Sequence, residues 1–413
     1  MRKMNSIEKL IAEKCNGDVP FYELGELGEF FGGLTGKSKT DFVDGNAIFI
    51  SYKNVYSNPA LNITPNEYVK INDGEKQRTL EYGDIVFTGS SETPDECGFS
   101  SVVTTVPNEP IYLNSFCFFF RFNDLKIIEP EYAKHLFRSS DLRKQISRTA
   151  AGVTRYNVSK EKMKKVRIPL PPIEIQREIV DILDSFTQVV DGLRKELDNR
   201  KKQYEYYLNY YFDNQTENIV SLSEIGTLTR GKRFVHADAV EEGIACIHYG
   251  ELYTYYGVYA NWAKSRIREE LRPKMRYAHK GDVIIVGAGE NNIDIGVGVA
   301  WDGEEDVAVH DACYTLTHSQ NSKYISYYLR SNIYHNQIKR YVAEGKICSI
   351  SADGIGRAKI PVPPLEEQKR IVDILDTFDE ICNNKEHGLQ AEIVSREKQY
   401  IYYRDLLLEF REK

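Results

Sequence analysis

The chain has 413 residues, of which 41% are hydrophobic and 28% charged, and this ordinary composition argues against disorder. Its net charge of -7 argues against a protein that coats nucleic acid indiscriminately, because phosphate binding needs positive potential. No apolar run approaches the roughly 18 to 20 residues that span a bilayer, and the first residues do not form a signal peptide. We therefore expect a cytoplasmic protein of two or more domains with no membrane association.

The cysteines predict neither a disulfide framework nor a zinc site. They are odd in number and scattered, and no two have the CxxC spacing. Reduced, mostly buried thiols are expected at all seven positions, which are Cys15, Cys97, Cys117, Cys246, Cys313, Cys348 and Cys382.

Short strands and one helix are predicted in the first 167 residues. Runs of β-branched or aromatic residues, such as 47–50 and 84–87, are separated by Gly, Asn and Asp turns. A single helix is predicted over residues 131–148. Positive charge is concentrated here, since residues 132–167 contain eleven Lys or Arg and only two Asp or Glu.

A proline motif then introduces a long helix. After Ile168-Pro169-Leu170-Pro171-Pro172-Ile173, apolar residues recur mostly at spacings of three and four, a coiled-coil pattern. A helix of about 40 residues would be about 60 Å long, and its apolar seam must be buried against another helix or a partner. The seam is predicted at Ile175, Ile179, Ile182, Phe186, Val189, Leu193 and Leu197.

The second half of the chain repeats this order. A strand is predicted at residues 282–286 and a single helix at 323–342, and residues 323–360 contain seven Lys or Arg against two Asp or Glu. The proline motif recurs at residues 360–365, and the sequence IVDILD at 179–184 is repeated at 371–376. About four residues are inserted near residues 383–387, where one extra turn would keep a continuous seam on one face.

This internal duplication predicts the architecture. We expect an α+β fold with two similar globular domains and two long, antiparallel-paired coiled-coil helices, related by a pseudo-twofold axis. The predicted segments are residues 1–167, 168–215, 216–359 and 360–413. Shared anchors include the proline motif and Gly83-Asp84-Ile85, which recurs as Gly281-Asp282-Val283. Between these anchors the halves diverge, which favours a common scaffold with two different recognition surfaces over simple drift.

Patterns for catalysis are incomplete. The segment Gly32–Ser38 resembles a phosphate-binding loop, but Phe31 occupies the place of the first glycine of GxxxxGK[ST]. The Asn58-Pro59-Ala60 segment lacks the second proline and the aromatic residue of an amino-methyltransferase loop. His310-Asp311, near His318, is more typical of a structural cluster than of a metal site. We expect neither catalysis nor a metal in this chain.

The proline motif opening a long helix, present twice around two dissimilar domains, resembles the specificity subunit of type I restriction-modification systems along the whole chain. The resemblance implies that residues 1–167 and 216–359 are target-recognition domains and that the helices are spacers. The implied partners are double-stranded DNA, two methyltransferase subunits and, through them, restriction subunits. S-adenosylmethionine is then expected in the methyltransferase partner, ATP and Mg²⁺ in the restriction partner, and no cofactor in this chain.

Residues for DNA binding are sought on loops near the duplicated anchors, because Arg or Lys can bond guanine and Asn or Gln adenine in the major groove. The half-sites should differ and lie about 10 base pairs apart. In the first half the candidates are Lys37, Lys39, Lys53, Asn54, Arg155 and Tyr156, with Lys160 and Lys164 for phosphates. In the second half they are Lys232, Arg233, Tyr249, Asn291, Asn292, Lys346 and Ser349, with Arg340 and Lys359 for phosphates. Solvated surface is an equal alternative for each one.

Partner docking is expected along the helices, at Gln176, Tyr206, Tyr207, Gln368, Tyr402 and Tyr403. For the tyrosines, packing between the two helices is an equal alternative. Two rival functions also stay open. A coiled-coil scaffold that binds only protein would not retain a specific DNA sequence, and a self-sufficient nuclease or methyltransferase would be active as the purified chain.

Overall fold

The computed structural model describes residues 18–214, 218–384 and 386–410. The chain divides into two compact units, the first ending at Asp191 and including the C-terminal stretch from Val394, the second spanning Gly192–Ile393. Among the described residues, no helix has the length and hydropathy needed to cross a bilayer. Cys15 and the predicted boundary between residues 215 and 216 lie outside the described residues.

The first unit contains two sheets and a small hairpin sheet. The four-stranded sheet has the order Gly28–Gly32, Cys117–Phe122, Ile85–Thr88 and Ser100–Val102, and the three-stranded sheet has the order Tyr68–Val69, Ala47–Ile50 and Ile111–Leu113. The hairpin sheet has the order Ala150–Ala151, Tyr156–Val158 and Ser90–Ser91. The α-helices that lie wholly in this unit are Leu24–Leu27, Tyr52–Ser57, Pro130–Leu136, Ser140–Ser147 and Lys160–Met163.

The second unit repeats this plan with two sheets of five strands each. One has the order Gly226–Arg230, Cys313–His318, Val283–Val286, Gly298–Trp301 and Tyr259–Ala260, and the other Ala239–Val240, Ser265–Ile267, Ile244–Ile247, Val307–Val309 and Tyr277–Ala278. A short pair joins Ala288–Gly289 to Cys348–Ser349. The α-helices that lie wholly in this unit are Leu222–Ile225, Tyr249–Thr254, Ser322–Tyr328, Asn332–Ile338, Ala352–Gly356 and Leu365–Asn383.

A repeated Gly-Asp turn explains one of the sequence anchors. Gly83 and Gly281 have φ values of +89° and +94°, which favour glycine. The carboxylates of Asp84 and Asp282 accept the backbone N–H three residues earlier, at 2.8 Å in both units. The glycine therefore permits the turn and the aspartate closes it before the buried central strand.

Each proline motif closes its own unit. Phe21–Glu23 pairs antiparallel with Arg167–Pro169, and Ile219–Ser221 pairs with Lys359–Pro361 in the same way. Because the strand ends on proline residues, it terminates there and a helix follows. The beginning and end of each globular domain thus meet next to the start of its long helix.

The two single helices predicted over 131–148 and 323–342 are wrong. Each is divided, into Pro130–Leu136 and Ser140–Ser147 in the first unit and into Ser322–Tyr328 and Asn332–Ile338 in the second. At the second division, Ser331 Oγ accepts the N–H of Tyr334 at 3.2 Å. A serine that caps a new helix competes with continuation of the old one, which apolar periodicity alone does not reveal.

The first long helix is confirmed. It runs over Ile173–Asp213, 41 residues, and is called the spacer helix below. In the first unit its start contributes Ile175, Ile179 and Leu183 to the core, and in the second its end contributes Leu208 and Phe212. The predicted seam is displaced in its middle, because Val189 is 49% exposed whereas Val190 is buried.

The second long helix is not continuous, contrary to the expectation of an inserted turn. It consists of Leu365–Asn383 and Leu389–Leu408. Asn384 is extended, and its Oδ1 accepts the N–H groups of Glu386 and His387 at 2.7 and 2.9 Å. This local turn takes the place of helical hydrogen bonds.

Antiparallel pairing of the helices is visible within the second unit. Tyr207 stacks on Phe378 with ring centroids 5.3 Å apart, and further along the spacer helix Tyr211 lies 5.8 Å from the guanidinium of Arg370. Residue numbers along the helix Leu365–Asn383 decrease as those along the spacer helix increase, so the two helices run in opposite directions there. Within the first unit, the start of the spacer helix packs against the C-terminal helix, Leu389–Leu408. The ring centroids of Phe186 and Tyr403 lie 5.1 Å apart there.

Candidate nucleic-acid interface and docking surfaces

Both units carry a hairpin closed at equivalent positions of the repeat. In the first, Ala151 pairs with Asn157 across the loop 152–156, and in the second, Ala343 bonds Ser349 in both directions across the loop 344–348. These closing pairs differ by the repeat offset of 192. In both units the second strand of the hairpin also pairs with the short strand that follows the buried Gly-Asp strand. The hairpin and that strand therefore form one surface in each unit.

Arg155 fixes the hairpin of the first unit. Its Nε and Nη2 donate to Ser90 Oγ at 3.1 and 3.0 Å, and its guanidinium lies 5.5 Å from the ring centroid of exposed Phe116. Tyr156, half-buried, pairs with Ser91. The structure thus brings together the predicted Arg155 and Tyr156 with a serine strand.

Lys160 follows the second strand of this hairpin, and the charge of Arg78 acts on it. Burial lowers the pKa of Lys160, and the charge of Arg78 lowers it further. The Lys160 ammonium lies 5.6 Å from the ring of Phe118, and the Arg78 guanidinium 5.0 Å from the ring of Phe31. A bound anion such as a phosphate group would offset this repulsion. Sequence reasoning missed Arg78, which lies far from the repeated motifs and carries no pattern of its own.

Two predicted base contacts of the first unit are engaged inside the protein. The side chain of Lys37 is 7% exposed and its Nζ lies 2.6 Å from both Glu75 Oε2 and the Lys70 carbonyl oxygen. Asn54 is buried, and its amide bonds the backbone of Asn62 in both directions. Each side chain already stabilises a loop, and base contact at Lys37 and Asn54 stays a prediction.

The other cationic candidates of the first unit lie at the surface. Lys39 and Lys53 are exposed. Lys164 is also exposed, but its Nζ lies 2.9 Å from Glu161 Oε1. Of the three, Lys164 alone has a neighbouring carboxylate among the described residues, and this negative charge weakens the attraction of the lysine for a phosphate group.

In the second unit, Tyr249 lies in an aromatic and histidine cluster. Its ring centroid is 5.7 Å from that of His310 and 4.4 Å from that of His248. Burial lowers the pKa of both imidazoles, and the neutral Nδ1 atoms accept the N–H groups of Gly250 and Ala312. Among the described residues, no group of three or more His, Cys, Asp or Glu side chains is placed to hold a metal ion.

The remaining candidates of the second unit are divided between the hairpin and other parts of the unit. Cys348–Ser349 pairs with Ala288–Gly289, so the hairpin strand bearing Ser349 lies beside the short strand that precedes the Asn291 and Asn292 loop. Lys359 is exposed next to the proline motif. The other candidates, also exposed, are Lys232, Arg233, Asn291, Asn292, Arg340 and Lys346.

The two predicted docking glutamines are buried and serve the fold. Gln176 Nε2 donates to the carbonyl oxygens of Pro171 and Ile127 at 2.8 and 2.9 Å, and its Oε1 accepts the N–H of Glu129 at 2.9 Å. Gln368 Oε1 likewise accepts the N–H of Asn321 at 3.0 Å. Both side chains are fully buried and already bonded within the fold, and docking of a partner at them stays a prediction. They attach each proline motif to its own domain.

The predicted docking tyrosines form two equivalent surfaces. In the first unit, the Phe186 and Tyr403 stack is flanked by Tyr402, which is 64% exposed. In the second, the Tyr207 and Phe378 stack is flanked by Tyr206, which is 61% exposed. We call these the first and second aromatic surfaces. One tyrosine of each pair packs between helices and the other is exposed, and docking of a partner at the exposed ring stays a prediction.

Each aromatic surface borders a shallow groove. The first groove has a volume of about 500 Å³ and is lined by Phe186, Ser395, Lys398, Gln399, Tyr402 and Tyr403. The second has a volume of about 740 Å³ and includes Lys202, Glu205, Tyr206, Asn209 and Tyr210. Each groove is thus lined in part by exposed aromatic rings, which are enriched at protein interfaces.

The sequence matches the family described as type I restriction modification DNA specificity domain twice, over residues 16–200 and 214–395. A putative type I restriction enzyme specificity subunit of Haemophilus influenzae is 31% identical over 270 residues, which are 63% of this chain and 68% of the relative. A type I restriction enzyme specificity subunit of Escherichia coli is 31% identical over 271 residues, 61% of this chain and 65% of that one.

The fold matches that of a chain in a solved structure titled "Structural basis underlying complex assembly and conformational transition of the type I R-M system". The TM-score is 0.64 at 18% identity, and the match covers 95% of this chain and 98% of the other. At this identity the likeness concerns the fold.

Proposed function

The chain belongs to the family of type I restriction modification DNA specificity domains, and we propose that it selects the DNA sequence on which a type I restriction-modification complex acts. The observation that carries this proposal is the pair of equivalently closed hairpins with different loop sequences. A shared support with unlike side chains suits two domains that each read a different part of one site. The recognised site is therefore bipartite and asymmetric.

The recognition surface of the first unit is built for a duplex. Lys160 and Arg78 supply positive charge for phosphates, while the adjacent hairpin presents Arg155 and Tyr156 at a fixed position. Phosphate contacts position a protein on DNA, and base contacts specify the sequence. A domain with both types of group on adjoining elements can do both.

Two methyltransferase subunits are the proposed partners of the aromatic surfaces. The surfaces occupy equivalent positions of the duplication, so one kind of subunit can bind at both. Methyl transfer, with S-adenosylmethionine, is assigned to these partners, and ATP and Mg²⁺ to restriction subunits that join through them. This chain then contributes recognition and assembly in the cytoplasm, without an active site of its own.

Methylome comparison tests the proposal directly. Methylated adenines are mapped across the genome of the source cell, of a strain lacking this chain, and of the strain with the gene restored. The expected result is loss and recovery of one split, gapped motif. Unchanged methylation in the deletion strain would contradict the proposal.

A protein-binding scaffold remains the alternative, and it predicts assembly without specific DNA retention. The assembled complex is therefore tested with a duplex containing the mapped motif and with a scrambled duplex, over a series of salt concentrations. Sequence-specific recognition requires tighter binding to the motif at each salt concentration. Equal affinity for both duplexes would favour the scaffold.

A further inference from the structure

The loop of each hairpin exposes a β-branched apolar side chain beside a cation. Val153 is 90% exposed in the first loop, which also contains Arg155, and Ile347 is 64% exposed in the second, directly after Lys346. Resting on the function proposed above, we propose that Val153 and Ile347 each contact the C5-methyl group of a thymine in their half of the DNA site, and so specify an A·T pair.

The fold does not account for Val153. It is the most exposed large hydrophobic side chain among the described residues, and it contributes to none of the apolar clusters of its unit. Turn positions favour Gly, Pro, Asn, Asp and Ser, whereas this loop continues from Gly152 with Val153 and Thr154. A residue that departs from the usual turn preferences and adds nothing to the packing of the core is expected to serve a function.

The loop is held in place around Val153. Antiparallel pairing of Ala150–Ala151 with residues 157–158 closes it, and pairing with Ser90–Ser91 supports it on the other side. Arg155 adds two hydrogen bonds to Ser90 Oγ. A side chain on a fixed loop loses little conformational freedom on binding, so even one small contact can discriminate between bases.

The second unit reproduces this arrangement with different residues. The bonds between Ala343 and Ser349, at 2.8 and 3.0 Å, close a loop of the same length as in the first unit. Ile347 lies at the repeat position of Arg155, and Lys346 at that of Thr154. The apolar group thus occupies the position that the cation has in the first loop, and the cation directly precedes it, while the support is the same. This rearrangement is expected for two half-sites of different sequence.

The chemistry of the major groove selects the ligand. Hydrogen-bond donors and acceptors line the base edges, and the C5-methyl of thymine is the apolar group that distinguishes this base. A nearby cation keeps the loop close to phosphates or to guanine acceptors. An aliphatic side chain at that place has no hydrogen-bonding partner to satisfy, and it gains by removing the methyl group from water.

The test removes the methyl group from the DNA and the side chain from the protein. Each thymine of the mapped motif is replaced in turn by deoxyuridine, which keeps base pairing and lacks only the C5-methyl. Binding of each duplex is measured with the assembled wild-type complex and with complexes containing Val153→Ala or Ile347→Ala. Val106→Ala, at another exposed valine of the first unit, is the matched control.

One thymine in each half-site is expected to be sensitive in the wild-type complex, with binding weakened about fourfold by loss of one buried methyl group. Val153→Ala should abolish that sensitivity in one half only, and Ile347→Ala in the other. The Val106→Ala complex should behave like wild type. A duplex carrying 5-methylcytosine at the sensitive position tests whether the methyl alone, or thymine with its pairing, is required.

Two results would overturn this inference while leaving recognition intact. In one, the complex binds the motif specifically but no deoxyuridine position weakens it. In the other, sensitivity persists unchanged in both alanine variants. Failure of the wild-type complex to prefer the motif over a scrambled duplex would instead overturn the proposed function. Melting temperatures of the variants within about 1 °C of wild type exclude a folding defect, as expected for exposed side chains.

Discussion

His135 and Asp184 join a domain helix to the spacer helix within the first unit. His135 Nε2 lies 2.8 Å from Asp184 Oδ1, and its Nδ1 lies 2.8 Å from the hydroxyl of Tyr400 in the C-terminal helix. Lys134 Nζ lies 2.8 Å from the same carboxylate oxygen. A neutral imidazole satisfies both contacts, donating from Nε2 to the carboxylate and accepting the tyrosine hydroxyl at Nδ1.

Acidification should destabilise the first unit through His135. Burial lowers the pKa of this imidazole, whereas in the unfolded chain it titrates near its ordinary value of about 6.5. Below that pH the imidazole is protonated in the unfolded chain but stays neutral in the folded unit. The contribution of His135 to stability is therefore fully present above pH of about 6.5 and declines as the pH falls. Although burial opposes ionisation of Asp184, hydrogen bonds from His135 and Lys134 hold its pKa below the usual value. Protonation of this carboxylate therefore causes a further loss of stability at still lower pH.

Urea unfolding of wild type and His135→Gln across pH 5 to 8 checks this prediction. His135 is the sole histidine of the first unit, so the variant should lose stability less steeply below pH 6.5 than wild type. His387→Gln, at an exposed histidine of the second unit, is the control and should keep the wild-type slope. Identical slopes for wild type and His135→Gln would contradict the assignment.

Gln176→Ala should destabilise the first unit by about 1–3 kcal/mol, because it leaves the N–H of Glu129 and two carbonyl oxygens without their buried partner. Thermal unfolding measures the change. Gln203→Ala removes an exposed glutamine of the spacer helix that accepts from Arg200, and should cost less than about 0.5 kcal/mol. Equal effects of the two substitutions would show that the buried amide adds nothing to stability.

Loss of an exposed tyrosine should release one methyltransferase subunit at a time. Tyr402→Ala and Tyr206→Ala each remove the outward ring of one aromatic surface, and a central aromatic contact is worth about 2 kcal/mol, or about thirtyfold in affinity. Native mass spectrometry at limiting concentration should show complexes with one partner subunit for each variant and none for the double variant. Tyr68→Ala, at an exposed tyrosine elsewhere, should keep both. Full assembly of the double variant would refute docking at these surfaces.

Lys160→Gln should reduce the salt dependence of DNA binding. Removing one phosphate contact lowers the slope of log affinity against log salt concentration by about 0.9 for duplex DNA. The loss should be similar for specific and scrambled duplexes, because a phosphate contact carries no sequence information. Lys144→Gln, at an exposed lysine near Asp141, should leave the slope unchanged. If Lys160→Gln weakened binding to the specific duplex and left binding to the scrambled duplex unchanged, Lys160 would contact a base instead of a phosphate group.

Several features could be predicted because they repeat or are periodic. Proline motifs separated by 192 residues indicated two domains, each followed by a long helix, and apolar spacing predicted the spacer helix that the structure has at Ile173–Asp213. The glycine and aspartate of the repeated turn were visible as anchors, although their geometric role was not. The divided helices were missed, because capping at Ser331 is a local competition that periodicity does not record.

The sequence gives no sign of which candidate site residues are engaged within the protein, since residue type does not reveal whether a polar group is already satisfied. Lys37, Asn54, Gln176 and Gln368 have suitable chemistry for ligands, but each is bonded within the protein. Arg78 lies near Lys160 only because the chain folds, and nothing in its neighbouring sequence marks it.

The sequence alone determined the duplication, the strand and helix types and the membership of the family, because these depend on order along the chain. Only the tertiary structure decided which polar side chains are already bonded within the protein and which are exposed. Burial, hydrogen-bond satisfaction and proximity depend on residues far apart in sequence, as in the contact between His135 and Tyr400, so they arise when the elements pack.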